Sequence, residues 1–164
     1  MPITTFMSFN KIPEFIVDTN LDDEKLWVPY VEGAHFQACL FNLTTGAFSN
    51  VLRIQPGAKL ATHYHIGQVV GYTLRGEWHY REHYWIARPG TFIFEPVGIS
   101  HTLLVDEDKT EPMMAFFYVE GGLIYTDENG KMIGYDDAFT LLKLAKQHYC
   151  STGLDLDLLE KMVI

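Results

Sequence analysis

Pro56-Gly57-Ala58-Lys59-Leu60-Ala61-Thr62-His63-Tyr64-His65 carries two histidines one residue apart, following a proline-glycine turn signal. On a β-strand that spacing sets both imidazoles on the same face, close enough to share an ion. Gly76 lies eleven residues beyond His65, and a third histidine, His101, follows Pro96-Val97-Gly98-Ile99-Ser100. A sheet that curls back on itself would bring His101 to the other two. Three imidazoles leave coordination positions open, which a catalytic metal site needs and a closed structural site does not have.

Outward from this stretch, short runs rich in β-branched and aromatic residues alternate with Gly, Pro and Asn, the pattern of an all-β sandwich or barrel. The runs predict strands over His35–Leu43, Ala47–Ile54, Val69–Arg75, Trp78–Ile86, Thr91–Glu95, Thr102–Val105 and Met113–Glu120. Thr44-Thr45-Gly46 and Arg75-Gly76-Glu77 read as hairpins and Arg88-Pro89-Gly90 as a proline turn. Asn129-Gly130 reads as a type I′ turn pairing Leu123–Thr126 with Lys131–Gly134. Asp136 is positioned to cap a helix whose apolar residues Ala138, Phe139, Leu141, Leu142 and Ala145 share one face. A second helical stretch, Leu154–Met162, follows Gly153. The expected organisation is an N-terminal arm over 1–33 with at most one short strand around Glu14-Phe15-Ile16-Val17, a barrel over 34–134 and a helical tail over 135–164 packed on it, all in one domain.

Composition narrows the function. A chain of 164 residues has room for one core and no second domain. The formal net charge of -9 and the lack of any Lys/Arg run argue against a nucleic-acid partner. Cys39 and Cys150 are far apart and form no CxxC, so neither a disulfide framework nor a thiolate zinc site is expected. The start Met1-Pro2-Ile3-Thr4-Thr5 has no basic region followed by an apolar run, and no stretch reaches membrane-spanning length, so a cytoplasmic location with no membrane partner is expected.

Pro56-Gly57, His63-Tyr64-His65 and Gly76 resemble the first motif of the cupin superfamily, and Pro89-Gly90, Pro96-Val97-Gly98 and His101 resemble its second. The resemblance implies a cupin (RmlC-like) jelly-roll β-barrel. In that family a glutamate four or five residues after the second histidine completes the ligand set; here Val69 and Val70 stand there, with Gln68 beside them. The site is therefore a three-histidine centre or one that takes its carboxylate from elsewhere. Glu82 is the candidate, because alternation along Trp78, Tyr80, Glu82 and Tyr84 turns that set toward the barrel interior, whereas a one-residue slip would turn His83 inward instead.

The likeness extends further. Trp27 to Gly33, Leu43 to Gly46, Gly76 to Glu82, Gly122 to Tyr125 and Gly134 to Phe139 resemble the 2,4′-dihydroxyacetophenone dioxygenase-like cupins, a branch similar to acetylacetone dioxygenases and, more distantly, to the cupin domain of zinc-binding anti-sigma factors of the ChrR type. This resemblance implies one divalent metal ion, iron(II) first, with zinc, nickel, manganese or copper able to take its place. It also implies a dioxygenase that uses O₂ to cleave a carbon-carbon bond beside the carbonyl of a small hydroxyketone or diketone. Expected metal ligands are His63, His65, His101 and Glu82, the last also as a possible base. Expected pocket residues are Gln68, Trp78, Tyr80, Tyr84, Phe92, Phe94, Phe116 and Tyr118, with Arg53 or Arg75 facing an anionic group. Two alternatives stay open: a metal- or ligand-sensing module without chemistry, and a metal-dependent isomerase or hydrolase on the same fold. A homodimer or homotetramer is expected, built on apolar surface of the arm.

Overall fold

The computed structural model describes residues 12–164. The part of the arm over 1–11, including the start read above, lies outside the described residues. Strands are numbered in chain order. β1 (Val28–Val31), β2 (Ala34–Phe41), β3 (Phe48–Ile54), β5 (Val69–Arg75), β7 (Phe92–Glu95) and β10 (Met113–Val119) form an antiparallel sheet in the order β1-β2-β3-β10-β5-β7. β4 (His63–His65), β8 (Ser100–His101), β11 (Leu123–Thr126) and β12 (Met132–Asp136) form a second, in the order β12-β11-β4-β8, and β6 (His79–Tyr80) pairs β9 (Leu103–Leu104) in a short ribbon. The fold is an antiparallel jelly roll, mostly β, with a helical C-terminal segment.

Alternation decides what lies inside. Phe36, Leu52, Val69, Ala115, Phe117 and Leu123 come from both sheets and share one buried core with Trp78, Tyr80 and Leu103. Each large side chain so enclosed contributes about 1.5–3 kcal/mol of burial. The opposite parity of the large sheet faces outward, where ladder pairing aligns Val51, Phe116, Tyr72 and Phe92 across four strands. Trp27, packed with Val51, Met114 and Leu21, covers the β3–β10 part of that face, while Tyr72, Phe92 and Phe94 are exposed. The arm's apolar residues Leu21 and Trp27 are thus spent on the chain's own sheet.

Several local elements differ from the sequence reading. The described part of the arm carries one short strand, Val28–Val31, whose Val28 and Val31 pair with Phe36 and Ala34 along the edge of β2, while Glu14-Phe15-Ile16-Val17 forms none. The strand expected over Trp78–Ile86 stops at Tyr80, where His83 N–H returns to the Tyr80 carbonyl at 3.0 Å. Arg75-Gly76-Glu77 is not a hairpin: β5 pairs with β10 and β7, and Gly76 is the corner from which the chain leaves for the β6 ribbon. The Asn129-Gly130 turn is not type I′, since that type needs positive φ at both residues and only Gly130 has it (φ 77°). Asp127 builds the turn instead, its carboxylate accepting from Asn129 N–H and Lys131 N–H at 2.9 Å each.

The helix α1 (Ala138–Thr152) is capped by Asp137 rather than Asp136, in a capping box with Thr140. Its Leu141, Leu142, Ala145 and Tyr149 are buried, whereas Phe139 is exposed. Gly153 ends it in the left-handed conformation, and α2 (Asp157–Glu160) leads to a C-terminal end that bonds to β2, Phe41 N–H donating to the Met162 carbonyl at 2.7 Å.

Gly76 has φ of 69°, and a Cβ added there would lie 2.5 Å from the Pro112 carbonyl oxygen and 2.8 Å from Met113 Cα. Gly98 has comparable φ (81°) with nothing within 4 Å. Urea denaturation should therefore show Gly76→Ala losing about 2–4 kcal/mol, against about 1 kcal/mol for Gly98→Ala, because only the first adds a backbone clash to the strain of positive φ.

Candidate metal centre

Tyr64 separates two histidines on a three-residue strand, so His63 and His65 both turn inward and are buried while Tyr64 faces the other way. β4 pairs with β8 in the register that sets His63 directly opposite His101. The three rings meet with centroids 5.0, 4.9 and 5.3 Å apart. His65 Nε2 and His101 Nε2 stand 3.2 Å from each other, and one ligand atom from each histidine falls within 4.8 Å of the other two. His63 Nδ1 lies 2.8 Å from the Ala61 carbonyl, which can only accept, so Nδ1 carries the proton and Nε2 presents its lone pair.

Burial keeps His63 and His101 neutral. It pushes His63 down to about 3, helped by neighbouring His65, and His101 down to about 4 against the pull of Glu95. A neutral imidazole is the form that binds a metal ion.

A carboxylate lies beside the cluster. Glu95 is buried at the end of β7, with Oε2 at 3.2 Å from His65 Nε2 and 3.4 Å from His101 Nε2. Tyr80 donates its hydroxyl to Oε1 and stacks its ring on His101, centroids 3.8 Å apart and planes within 5°. Burial raises the Glu95 carboxyl, but hydrogen bonding to His65 and the nearby imidazoles outweigh it and hold it below the ordinary carboxylate range. Apart from its 3.2 Å approach to His65 Nε2, Oε2 makes no hydrogen bond to any described residue. Three imidazoles and an anionic oxygen crowded into one buried volume are surroundings that a divalent cation would satisfy. The donor set, three imidazole nitrogens with a carboxylate oxygen beside them, could hold a metal ion of the zinc or iron type.

Glu95 escaped the sequence reading, yet it occupies the expected place by another route. It pairs across the β5–β7 ladder with Val69, where the first cupin motif has its glutamate. Val69 is inward-facing and lines the same cavity, so moving the carboxylate to the adjacent strand returns it to the same volume. The available signal was an acid at inward parity closing the apolar run Phe92-Ile93-Phe94-Glu95.

Glu82 does not join the cluster. β6 ends two residues earlier, and the Glu82 carboxylate accepts from Thr102 N–H (2.9 Å) and Thr102 Oγ1 (3.0 Å), which fixes the residue after His101. His83 stacks on Trp85 outside the cluster.

Of the expected pocket residues only Tyr80 lines the interior cavity, which measures about 50 Å³ and is bounded by His63, His65 and Glu95 at one side and by Leu52, Leu60, Leu103 and Phe117 elsewhere. Phe92, Phe94, Phe116 and Tyr118 have the opposite parity from Ile93, Glu95, Phe117 and Val119 and belong to the outer face, where Phe92 and Phe94 line a second cavity of about 400 Å³ that reaches Tyr80, Glu95 and His101. Trp78 is sealed in the core with Nε1–H on Thr73 Oγ1 at 2.9 Å, and Tyr84 is fully exposed. Gln68 bonds exposed Glu120. Arg53 faces outward, forked onto Glu24 at 2.7 and 3.0 Å and stacked 4.3 Å over Trp27; Arg75 pairs with Asp22 on the surface.

A jelly roll with histidines of a strand pair converging inside one mouth defines a cupin. The sequence matches the ChrR cupin-like domain over residues 14–120, well over half of the chain, and the protein belongs to that family. Solved structures of the same fold include an RmlC-like cupin protein from Ralstonia eutropha, with TM-score 0.74, 24% identity, and 85% of this chain and 92% of that one covered. Another is an acetylacetone dioxygenase from Acinetobacter johnsonii, with TM-score 0.67, 18% identity, and 89% and 99% covered. A cupin-like protein of unknown function from Ralstonia eutropha matches with TM-score 0.71 and 22% identity over 74% and 75%. No curated protein matches the sequence. Among the described residues no helix is long and apolar enough to cross a membrane.

Equilibrium dialysis against a competing chelator should find one divalent ion per chain. Affinity should fall by at least about 100-fold in His63→Ala and His101→Ala, and by about 10–100-fold in Glu95→Gln. Tyr80→Phe should lie between Glu95→Gln and wild type, because it frees the carboxylate without removing it.

Proposed function

We propose that the protein is a mononuclear non-haem iron dioxygenase that cleaves a carbon-carbon bond beside a carbonyl in a small diketone or hydroxyketone. The observation that carries this reading is a three-histidine donor set, with a carboxylate beside it, opening on a mostly apolar cavity within the barrel. Iron(II), when bound, supplies the Lewis acidity that favours the enolate of a carbonyl chelator and the electrons that engage dioxygen.

The chain's residues do the remaining work. The three imidazoles would hold the ion. Leu52, Leu60, Leu103 and Phe117 exclude water around the reacting carbon. Glu95 Oε2, anionic and beside His65 and His101, is the atom that takes the proton lost when a 1,3-dicarbonyl becomes its enolate, and Tyr80 holds the plane of that carboxylate. In sum, a 1,3-diketone and O₂ become a carboxylic acid and a 2-oxoaldehyde, with both oxygen atoms retained and no outside reductant. A cavity of about 50 Å³ holds only a few waters and favours compact, non-aryl substrates. The fold shared with an acetylacetone dioxygenase supports the same class.

Oxygen uptake on anaerobically iron-loaded protein tests this. Pentane-2,4-dione or hydroxyacetone should give uptake at one O₂ per substrate, reduced to background in His101→Ala and absent from the zinc form. One tightly held ion per chain without uptake on any compact diketone or hydroxyketone would overturn the dioxygenase and favour a metal- or ligand-sensing module.

A further inference from the structure

Asn50 sits in the middle of β3, a strand buried along its whole length. Its side chain shares the inward face with Phe48 and Leu52, opposite Phe117 on β10 and Ala38 on β2, and lines the interior cavity. The residue is 7% exposed, and its carboxamide makes no hydrogen bond to any described residue. Of the other polar groups of the cavity wall, His63 Nδ1 is committed to Ala61, Tyr80 to Glu95 and Tyr30 to Asp136 at 2.5 Å; His65 Nε2 and Glu95 Oε2 face each other at the candidate ion site, and His65 Nδ1 has no partner among the described residues.

Asparagine is disfavoured in strands, and this amide opens into the cavity without a partner among the described residues, so Leu or Val would be the choice for packing alone at this position. A residue that breaks both local preferences with no compensation inside the protein is expected to meet a ligand.

We propose that Asn50 is a substrate-binding residue, its carboxamide hydrogen-bonding an oxygen of the small carbonyl compound held in the cavity. This assignment rests on the reading of the cavity as the substrate chamber. It gives the chamber a second polar contact, away from the histidines, so that a compact oxygenated molecule is fixed at two points while its carbon skeleton meets Leu52, Leu60 and Phe117. An amide that both donates and accepts suits an uncharged carbonyl or hydroxyl, or an enolate oxygen, and selects against a hydrocarbon of the same shape.

The test uses full-length, zinc-loaded protein, which holds substrate without turning it over, titrated with pentane-2,4-dione. The Asn50 side-chain amide NMR signal should shift on titration. Kd should rise about tenfold in Asn50→Leu and in Asn50→Ala, with metal content unchanged. Unliganded Asn50→Leu should melt at or above the wild-type temperature, since no described residue bonds the amide it removes and Leu suits a buried strand better. Wild-type affinity in both variants, or an Asn50→Leu protein that melts several degrees lower without ligand, would overturn the assignment. Parallel O₂ uptake on the iron form separates this claim from the proposed function. Uptake with affinity independent of Asn50 removes this assignment alone. Binding that depends on Asn50 without uptake removes the dioxygenase alone. Absence of binding removes both.

Discussion

The β4–β8 ladder sets His63 directly across from His101, and the other features of the centre follow from that register. A one-residue slip would turn one of the two away from the cavity. With the register fixed, the i, i+2 spacing on β4 brings in His65 automatically, and the three rings turn ligand atoms to a common volume. Glu95 adds an anionic oxygen beside His65 and His101. The barrel core therefore holds a buried cluster of imidazoles and a carboxylate that could accept a cation.

The surrounding structure serves to keep that arrangement stiff. Tyr80 grips Glu95 through its hydroxyl and His101 through its ring, so one side chain orients two of the four groups. Glu82, outside the cluster, ties down both polar groups of Thr102 beside His101. On the other side, Tyr125 packs edge-on to His63 and joins Tyr30 and Asp136 in a hydrogen-bonded group that reaches Thr140 in the first turn of α1. The helical tail is thereby coupled to the wall of the centre rather than merely resting on the barrel, and its Leu141 lines the cavity.

The jelly roll and the three histidines were legible because both rest on local spacing: His-x-His parity, turn glycines and strand-length apolar runs. What sequence could not give was pairing. The Trp78-to-Ile86 alternation reads as a strand, yet a strand exists only where a partner does, and β9 offers two residues. That is why Glu82 and Tyr84 were turned inward on paper and not in the molecule. Phe94, Phe116 and Tyr118 show the complementary limit. Aromatic residues occupy both faces of the large sheet, so hydrophobicity could not tell inside from outside; only the ladder joining Glu95 to Val69 does. Glu95 itself was hidden because its role depends on that cross-strand neighbour rather than on distance along the chain.

The central claim is that one ion binds between these four side chains. An anomalous difference map from iron-soaked crystals tests it most directly. A single strong peak about 2.0–2.2 Å from Nε2 of His63, His65 and His101, with Glu95 Oε2 as its nearest carboxylate oxygen, is the predicted result. A metal-replete crystal with its peak elsewhere, or none between the three imidazoles, would contradict the account.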